Sequence, residues 1–169
     1  MTKVFIGLGS NLGDGRKNLI AGWNRLGQIE GIVLGALSCP YLTEPQDIAT
    51  DKWFSNAVGS LSTIFDPEDL LTKLLGIEKE FGRDRQQGRD RTLDLDLLYY
   101  DNVIIKTSSL IVPHPYLALR RFVLEPLYEI APFFKHPVLG ETTAQMLARL
   151  NGQNAPSVIR LDWEEIEDK

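Results

Sequence analysis

The sequence predicts an α+β protein in which helices pack on an antiparallel sheet. Short apolar runs and amphipathic stripes of helical period alternate along the chain in the order β-α-β-β-α-β. A strong helix start at Asp66-Pro67 separates the third strand region from the fourth. The chain has 169 residues, of which 43% are hydrophobic and 24% charged, a composition typical of globular proteins. We therefore expect a single domain over residues 1–169, large enough to bury a core of its own.

The first quarter of the chain supplies two strand regions and one helix. An apolar run over residues 4–8 ends in a glycine-rich turn, which is typical of a buried strand followed by a loop. The helical stripe that follows consists of Leu19, Ile20, Trp23 and Leu26. A second strand region covers residues 32–42, where Gly35 and Pro40 predict a bulge or a sheet edge. Residues 43–51 are predicted as a loop.

The next segment supplies the third strand, the second helix and the fourth strand. Residues 53–63 are rich in β-branched, aromatic and aliphatic side chains and predict a strand. The helix begins after the capping residue Asp66 and ends at Gly82. The fourth strand covers residues 92–100, and its predicted apolar face consists of Leu93, Leu95, Leu97 and Tyr99. The order β-α-β-β-α-β is that of a ferredoxin-like sheet with two helices on one face.

Shorter elements are predicted beyond residue 101. They are strands over residues 103–106 and 110–112, short helices over residues 122–130 and 142–150, and a last strand over residues 158–161. An acidic, solvated tail is expected to follow them.

Composition excludes several classes of protein. The 18 basic and 23 acidic residues give a net charge of −5, which argues against general nucleic-acid binding because that binding depends on many Lys and Arg contacts to phosphates. The single cysteine, Cys39, cannot form an internal disulfide or a multi-thiolate metal site. No apolar run approaches the roughly 20 residues of a membrane span, and no signal peptide is recognisable. We expect a cytoplasmic protein.

Two acidic residues follow an arginine cluster in the sequence. Strand alternation places Asp94 and Asp96 on the face opposite the leucines. At about 6 Å and an effective dielectric of about 20, their repulsion is on the order of 3 kcal/mol, which a shared divalent cation would reverse. Hard carboxylate oxygens next to phosphate-binding arginines suit Mg²⁺. The arginines are Arg83, Arg85, Arg89 and Arg91. A solvated polar strand face and a salt-bridged surface turn remain the alternatives.

Other candidate residues are less specific. The glycine-rich segment after the first strand lacks both the third glycine of the dinucleotide fingerprint and the Gly-Lys-Ser/Thr of the Walker motif. Phe54 and Asn56 share a strand face and could stack on and hydrogen bond to a polar heterocycle, although a structural asparagine is as compatible with the pattern. His114, between two prolines, is a candidate phosphate donor or acid, although a lone histidine is more often structural. Glu78 lies on or beside the apolar stripe of the second helix, where it either faces the site or flanks it.

Taken together, four groups of strings resemble one known family. They are GLGSNLGD, YLTEP with WFSNAV, GRDR with RTLDLDLL, and VPHP with RRFVLEPLYEIAP, and they span residues 3–148. In this order they are similar to the 6-hydroxymethyl-7,8-dihydropterin pyrophosphokinase family, whose fold is ferredoxin-like. The resemblance stops near Leu150 and assigns no role to the final residues.

The resemblance implies an Mg²⁺-dependent enzyme of folate biosynthesis that transfers diphosphate from ATP to 6-hydroxymethyl-7,8-dihydropterin and releases AMP. It implies two Mg²⁺ ions held by Asp94 and Asp96, which count with Arg83 and Arg91 as catalytic residues. The positions that would bind the pterin are Thr43, Phe54, Asn56 and Phe122. Those that would surround the ATP phosphates are Arg83, Arg85, Arg91, His114 and Arg120, and we assign Glu78 to the ATP side with them.

A ferredoxin-like sheet also suits a non-catalytic ligand-binding or RNA-binding module. The acidic net charge and the lack of an RNP1-like string on either central strand argue against RNA. The hypothesis of a small-molecule regulatory domain does not explain why the paired aspartates lie beside four arginines in the sequence. We therefore expect an enzyme that acts as a monomer on ATP and a hydroxymethyl dihydropterin, with no nucleic-acid or membrane partner.

Overall fold

The computed structural model describes residues 1–45, 52–82, 90–151 and 158–163. The strands are β1 Thr2–Ser10, β2 Ile32–Leu37, β3 Tyr41–Thr43, β4 Phe54–Thr63, β5 Asp94–Tyr100, β6 Ile105–Lys106, β7 Ile111–Val112 and β8 Val158–Arg160. The helices are α1 Gly15–Gly27, α2 Pro67–Glu80, α3 Arg121–Ile130 and α4 Thr143–Leu150, with a 3-10 turn at Leu117–Leu119. Among these residues, none of the helices has the length and apolar character that a bilayer crossing requires.

The fold is α+β, with one six-stranded sheet in which every pairing is antiparallel. Along its main path the order is β5-β1-β4-β3-β8, and β2 pairs with β4 beside β3. The predicted interruption of the second strand region is confirmed, because β2 and β3 are separate strands and the register of β2 shifts between Leu34 and Leu37. Strands β6 and β7 form a separate small sheet, and the predicted C-terminal helices and last strand are present as α3, α4 and β8.

Helices α1 and α2 cover one face of the sheet. Their buried side chains pack on the inward residues of β1 and β5, which include Leu8, Leu95 and Leu97. The predicted start of α2 is confirmed, since the Asp66 carboxylate accepts a hydrogen bond from the Asp69 amide at 2.8 Å. Gly82 follows the helix at φ +83°, a conformation that favours glycine. Helix α2 therefore has a side-chain cap at its first turn and a glycine after its last turn, as the sequence predicts.

Helices α3 and α4 cover part of the opposite face and form a second core with Phe5, Val58, Leu98 and Tyr99. The prediction that Tyr99 shares a face with the leucines of β5 is wrong. The register of β5 against β1 shifts between Phe5 and Ile6, so one extra residue reverses the alternation beyond Leu97. Tyr99 consequently lies edge-on to Phe5, with ring centroids 6.0 Å apart.

His136 anchors the loop between α3 and α4 in its neutral form. The Nδ1 atom accepts hydrogen bonds from the amides of Val138 at 3.2 Å and Leu139 at 3.1 Å. Burial lowers the pKa of His136 below its usual 6.5, and the nearby Glu141 carboxylate only partly opposes this effect. Because the depressed pKa favours the neutral ring in the folded state, His136 contributes stability above about pH 6.5 that is lost as the pH falls.

Replacement of His136 should therefore flatten the acid side of the stability profile. In His136→Asn, the amide oxygen can accept the same two hydrogen bonds without titrating. We expect the Tm of the unsubstituted protein to fall more than that of His136→Asn between about pH 7.5 and pH 5. Thermal unfolding followed by circular dichroism measures this difference, and parallel profiles would contradict the assigned role.

Candidate active site

The part of the second sheet face that α3 and α4 leave open carries a row of polar residues. Strand register places Asp94 of β5, Gly9 of β1, Asn56 of β4 and Tyr41 of β3 side by side across four strands. Gly9 leaves space in the middle of this row, because a Cβ at this position would lie only 3.1 Å from Asn56 Oδ1. The row therefore forms a shallow groove between the aspartates and the asparagine.

Asp94 and Asp96 lie on this face, opposite the buried leucines, as the sequence predicts. Both side chains are half-buried and do not lie on an open, solvent-facing strand surface, because neighbouring elements of the fold surround this end of the sheet. Arg91 Nη1 lies 2.9 Å from Asp94 Oδ2, and the two side chains are only 15% and 20% exposed. The structure thus holds two adjacent carboxylates with one guanidinium bound to the first of them.

The surroundings of the pair favour the protonated form of Asp96. Burial and the adjacent Asp94 carboxylate raise the pKa of Asp96 from 3.8 to about 8, while Arg120 and Arg91 oppose the shift. Carboxylate oxygens are ligands that Mg²⁺ prefers, and Mg²⁺ sites commonly use one or two of them with substrate phosphates and water. No cluster of three or more potential metal-ligand side chains occurs in the described part of the chain.

Glu78 of α2 is buried and reaches the backbone of β5. Its Oε1 accepts a hydrogen bond from the Leu95 amide at 2.7 Å, and its charge also contributes to the raised pKa of Asp96. A buried helix carboxylate thus fixes the backbone of β5 between its two acidic residues. The role of Glu78 on the ATP side stays a prediction.

A second group of predicted residues meets at the other end of the groove. Asn56 Nδ2 donates a hydrogen bond to Thr43 Oγ1 at 2.8 Å, and both side chains are buried. The pairing of β3 with β4 places Phe54 directly opposite Thr43. The guanidinium carbon of Arg91 lies 5.4 Å from the centroid of the Phe54 ring, so Arg91 connects this group to the aspartates.

The segment that leads into α3 supplies a third group. The guanidinium carbon of Arg120 lies 5.1 Å from the Tyr116 ring centroid and 5.5 Å from that of Phe122. Burial and the Arg120 charge lower the pKa of His114 to about 4, so the ring is neutral near pH 7. Its Nδ1 accepts a hydrogen bond from the Tyr116 amide at 3.2 Å, which leaves the proton on Nε2.

The sequence prediction missed Asn11, which positions Arg91. Asn11 Oδ1 accepts a hydrogen bond from the Arg91 amide at 2.7 Å, and its Nδ2 donates to Asp90 Oδ1 at 2.8 Å. The amides of Asn11 and Leu12 both donate to the Arg91 carbonyl, at 3.0 and 3.2 Å. An asparagine just after a strand signals only a turn, and nothing local reveals a partner 80 residues away.

The structure thus brings together Thr43, Phe54, Asn56, Glu78, Arg91, Asp94, Asp96, His114, Arg120 and Phe122 around one end of the sheet. The predicted arginines Arg83 and Arg85, with Arg89, lie outside the described residues.

The raised pKa of Asp96 predicts that this residue destabilises the metal-free protein at high pH. Its folded-state pKa lies above the unfolded value of 3.8, so stability falls as the pH rises from about 4 to about 8. In EDTA at about pH 8, Asp96→Asn should have a Tm about 3 °C or more above that of the unsubstituted protein. The gain should shrink at about pH 5, and a gain independent of pH would contradict the assignment.

Sequence comparison identifies relatives over most of the chain. A model of the family described as 7,8-dihydro-6-hydroxymethylpterin-pyrophosphokinase (HPPK) matches residues 5–132. The chain is 37% identical over 152 residues to a 2-amino-4-hydroxy-6-hydroxymethyldihydropteridine pyrophosphokinase of Methylorubrum extorquens, covering 89% of this chain and 95% of that protein. It is 38% identical to the folic acid synthesis protein FOL1 of Dictyostelium discoideum, covering 92% of this chain and 24% of that much longer protein.

Solved structures with a similar fold include a wild-type HPPK-DHPS of Plasmodium falciparum, with a TM-score of 0.72 at 15% identity, covering 90% of this chain and 46% of that one. Another HPPK-DHPS, solved in complex with substrates, has a TM-score of 0.70 at 15% identity over 88% of this chain and 43% of that one. At such identities the likeness shows the fold alone. The family match and the sequence relatives together show that this chain belongs to the 7,8-dihydro-6-hydroxymethylpterin-pyrophosphokinase family, whose pyrophosphokinase activity serves folate biosynthesis.

Proposed function

We propose that this chain transfers the diphosphate group of ATP to the hydroxymethyl oxygen of 6-hydroxymethyl-7,8-dihydropterin. The hydroxymethyl oxygen attacks the β-phosphorus, and the bond from that phosphorus to the oxygen that bridges to the α-phosphate breaks. AMP leaves with the electron pair, and the hydroxyl proton passes to solvent. The observation that carries the proposal is the placement of Asp94 and Asp96 beside Arg91, one strand away from Gly9 and two from Asn56.

The pterin would lie at the Thr43 end of the groove. The hydrogen bond to Thr43 uses one N–H of Asn56 and holds the amide plane, leaving the Asn56 oxygen and the other N–H available for a heterocycle edge. Phe54 and Phe122 would stack on the two faces of the ring, an arrangement that aromatic side chains favour. This assignment is supported by the proximity of Phe54 to Thr43 and of Phe122 to Arg120.

The triphosphate would lie between the aspartates and Arg120. Arg91 and Arg120 supply guanidinium groups for phosphate oxygens, and Arg83 and Arg85 join them by the resemblance of GRDR to the family. Because His114 is neutral and its Nδ1 accepts from the backbone, its Nε2–H is a donor suited to a phosphate oxygen. We assign His114 to binding rather than to acid–base transfer, since its low pKa makes it a poor proton donor near pH 7.

Asp94 and Asp96 would hold two Mg²⁺ ions, with phosphate oxygens and water completing the coordination. When bound, the ions neutralise negative charge on the phosphates and help to align the attacking hydroxyl. The protein's own contribution is positioning, because phosphoryl transfer needs little covalent chemistry from side chains. Glu78, which we place on the ATP side, serves there by fixing the Leu95 amide between the two aspartates.

The core that carries this site is proposed to be ferredoxin-like. The order β5-β1-β4, with β2 pairing β4 on the outer side and α1 and α2 on one face, supports that topology. We further propose that residues 1–169 act as one catalytic domain. The expectations of a monomer and of cytoplasmic localisation rest on the sequence.

A nucleotide product assay tests the proposed reaction. ATP, Mg²⁺ and 6-hydroxymethyl-7,8-dihydropterin are incubated with the protein, and the products are separated by chromatography, with controls that lack the pterin or the metal. We expect AMP that depends on both. ADP would indicate a different kinase reaction, and the lack of nucleotide turnover by folded protein would favour the non-catalytic binding module.

Removal of either aspartate should abolish this turnover. We expect Asp94→Ala and Asp96→Ala each to lower kcat at least about a thousandfold, because charge neutralisation at the phosphates depends on both carboxylates. The exposed Asp69 on α2 provides the matched control, and Asp69→Ala should retain nearly full activity. Near-normal turnover by either site variant would contradict the two-metal assignment.

Loss of Asn11 should impair catalysis through Arg91. Asn11→Ala removes the side-chain contacts to the Arg91 amide and to Asp90, so we expect kcat to fall about 10-fold to 100-fold. The KM for ATP should rise more than that for the pterin, because Arg91 faces the phosphates. Asn24→Ala, on the exposed side of α1, is the control for removal of an asparagine side chain away from the site. Equal changes in both KM values would indicate a purely structural role.

A further inference from the structure

The segment 158–163 lies against the sheet edge nearest to the proposed pterin pocket. It contains β8 and ends at Trp163, and it lies beyond residues 5–132, which the family model matches. We refer to residues 158–163 as the C-terminal brace. Neither the reaction nor the site residues described above give it a role.

The brace pairs with the strand that carries Thr43. Val158 lies opposite Thr43 and Arg160 opposite Tyr41, and the Leu161 amide donates to the Pro40 carbonyl at 2.8 Å. Strand β3 has only three residues, so without β8 it would be a short edge strand held on one side by β4. Short exposed edges open readily, and pairing on both sides reduces that local opening.

The brace also binds α3, the helix that carries Phe122. Arg160 Nη2 and Nε both donate to Glu129 Oε1, at 2.7 and 3.1 Å. The second oxygen of Glu129 accepts from the Cys39 amide at 2.6 Å, just before β3 begins. One carboxylate on α3 therefore connects the brace to the chain that enters β3.

The end of the brace makes two further contacts. Trp163 Nε1 donates to the Ser38 carbonyl at 2.9 Å, and its ring packs against the core beneath α1 and α2. The Asp162 carbonyl accepts from Arg16 Nη1 at 3.0 Å, at the start of α1. The brace is thereby fixed at both ends and along its length.

We propose that the C-terminal brace holds two walls of the pterin pocket, Thr43 on β3 and Phe122 on α3, in fixed relation and so determines affinity for the pterin. This inference rests on the proposed function, since it takes Thr43 and Phe122 as pterin contacts. The aspartates lie on β5, at the opposite edge of the sheet from β8. The brace therefore acts on pterin binding far more than on ATP binding, and Arg160 and Trp163 are positioning residues.

The double variant Arg160→Ala/Trp163→Phe tests this inference in the full-length chain. It removes the contacts to Glu129, Cys39 and Ser38, while phenylalanine retains an aromatic ring in the core. Binding is measured by calorimetry for 6-hydroxymethyl-7,8-dihydropterin in the presence of α,β-methylene-ATP and Mg²⁺, and separately for the nucleotide. Hydrogen exchange of the β3 amides, measured without ligand, reports local opening independently of any activity.

We expect the Kd for the pterin to rise about tenfold, the Kd for the nucleotide to change less than about twofold, and exchange in β3 to accelerate while β1 stays protected. Arg25→Ala is the matched control. Arg25 makes a comparable two-bond ion pair with Glu80, at 2.9 and 3.1 Å, that joins α1 to α2 away from the pocket. Its loss should leave both Kd values and β3 exchange unchanged.

Three outcomes would overturn the inference. Unchanged β3 exchange would show that the Arg160 and Trp163 side chains do not hold β3. Faster exchange with an unchanged pterin Kd would show that the brace supports β3 without determining pterin affinity. Equal rises of both Kd values would show a general loss of site order. Failure of the proposed function is distinguishable, because the unsubstituted protein would then neither bind the pterin nor release AMP.

Discussion

The burial of two adjacent carboxylates, Asp94 and Asp96, is the constraint on which the proposed site depends. Two carboxylates two residues apart on one strand face repel by about 3 kcal/mol at about 6 Å and an effective dielectric of about 20. The fold offsets this repulsion with the Arg91 guanidinium on Asp94 and with Arg120 near Asp96, and the Glu78 carboxylate fixes the intervening Leu95 amide. Such a pair is poorly satisfied without a cation and is suited to receive one.

Unequal coverage of the two sheet faces creates the open groove that we propose for the substrates. One face is covered by α1 and α2, whereas α3 and α4 cover only part of the other. The open end of that second face is lined by residues from β1, β3, β4 and β5, which are held in register by the sheet, and Gly9 leaves room between them. A site built on strands gives the positional precision that phosphoryl transfer requires.

Local patterns in the sequence predict the elements and the aspartate face but not their long-range partners. The Asp66 cap and the alternation from Leu93 to Leu97 depend on near neighbours, and both are confirmed. Strand alternation alone places Tyr99 on the wrong face. The bulge arises from the register between β5 and β1, and the local sequence pattern of β5 does not contain that register. Asn11 was missed for the same reason, since its function comes from a contact with Arg91 across the fold.

The number of divalent cations that the aspartate pair binds tests the central claim most directly. Electron paramagnetic resonance titration with Mn²⁺ in the presence of α,β-methylene-ATP counts the bound ions in the unsubstituted protein, in Asp94→Asn and in Asp96→Asn. Two ions per chain are expected for the unsubstituted protein, with at least one lost in each variant while the fold is retained. The same stoichiometry in all three proteins would contradict the assignment of this pair as the metal site.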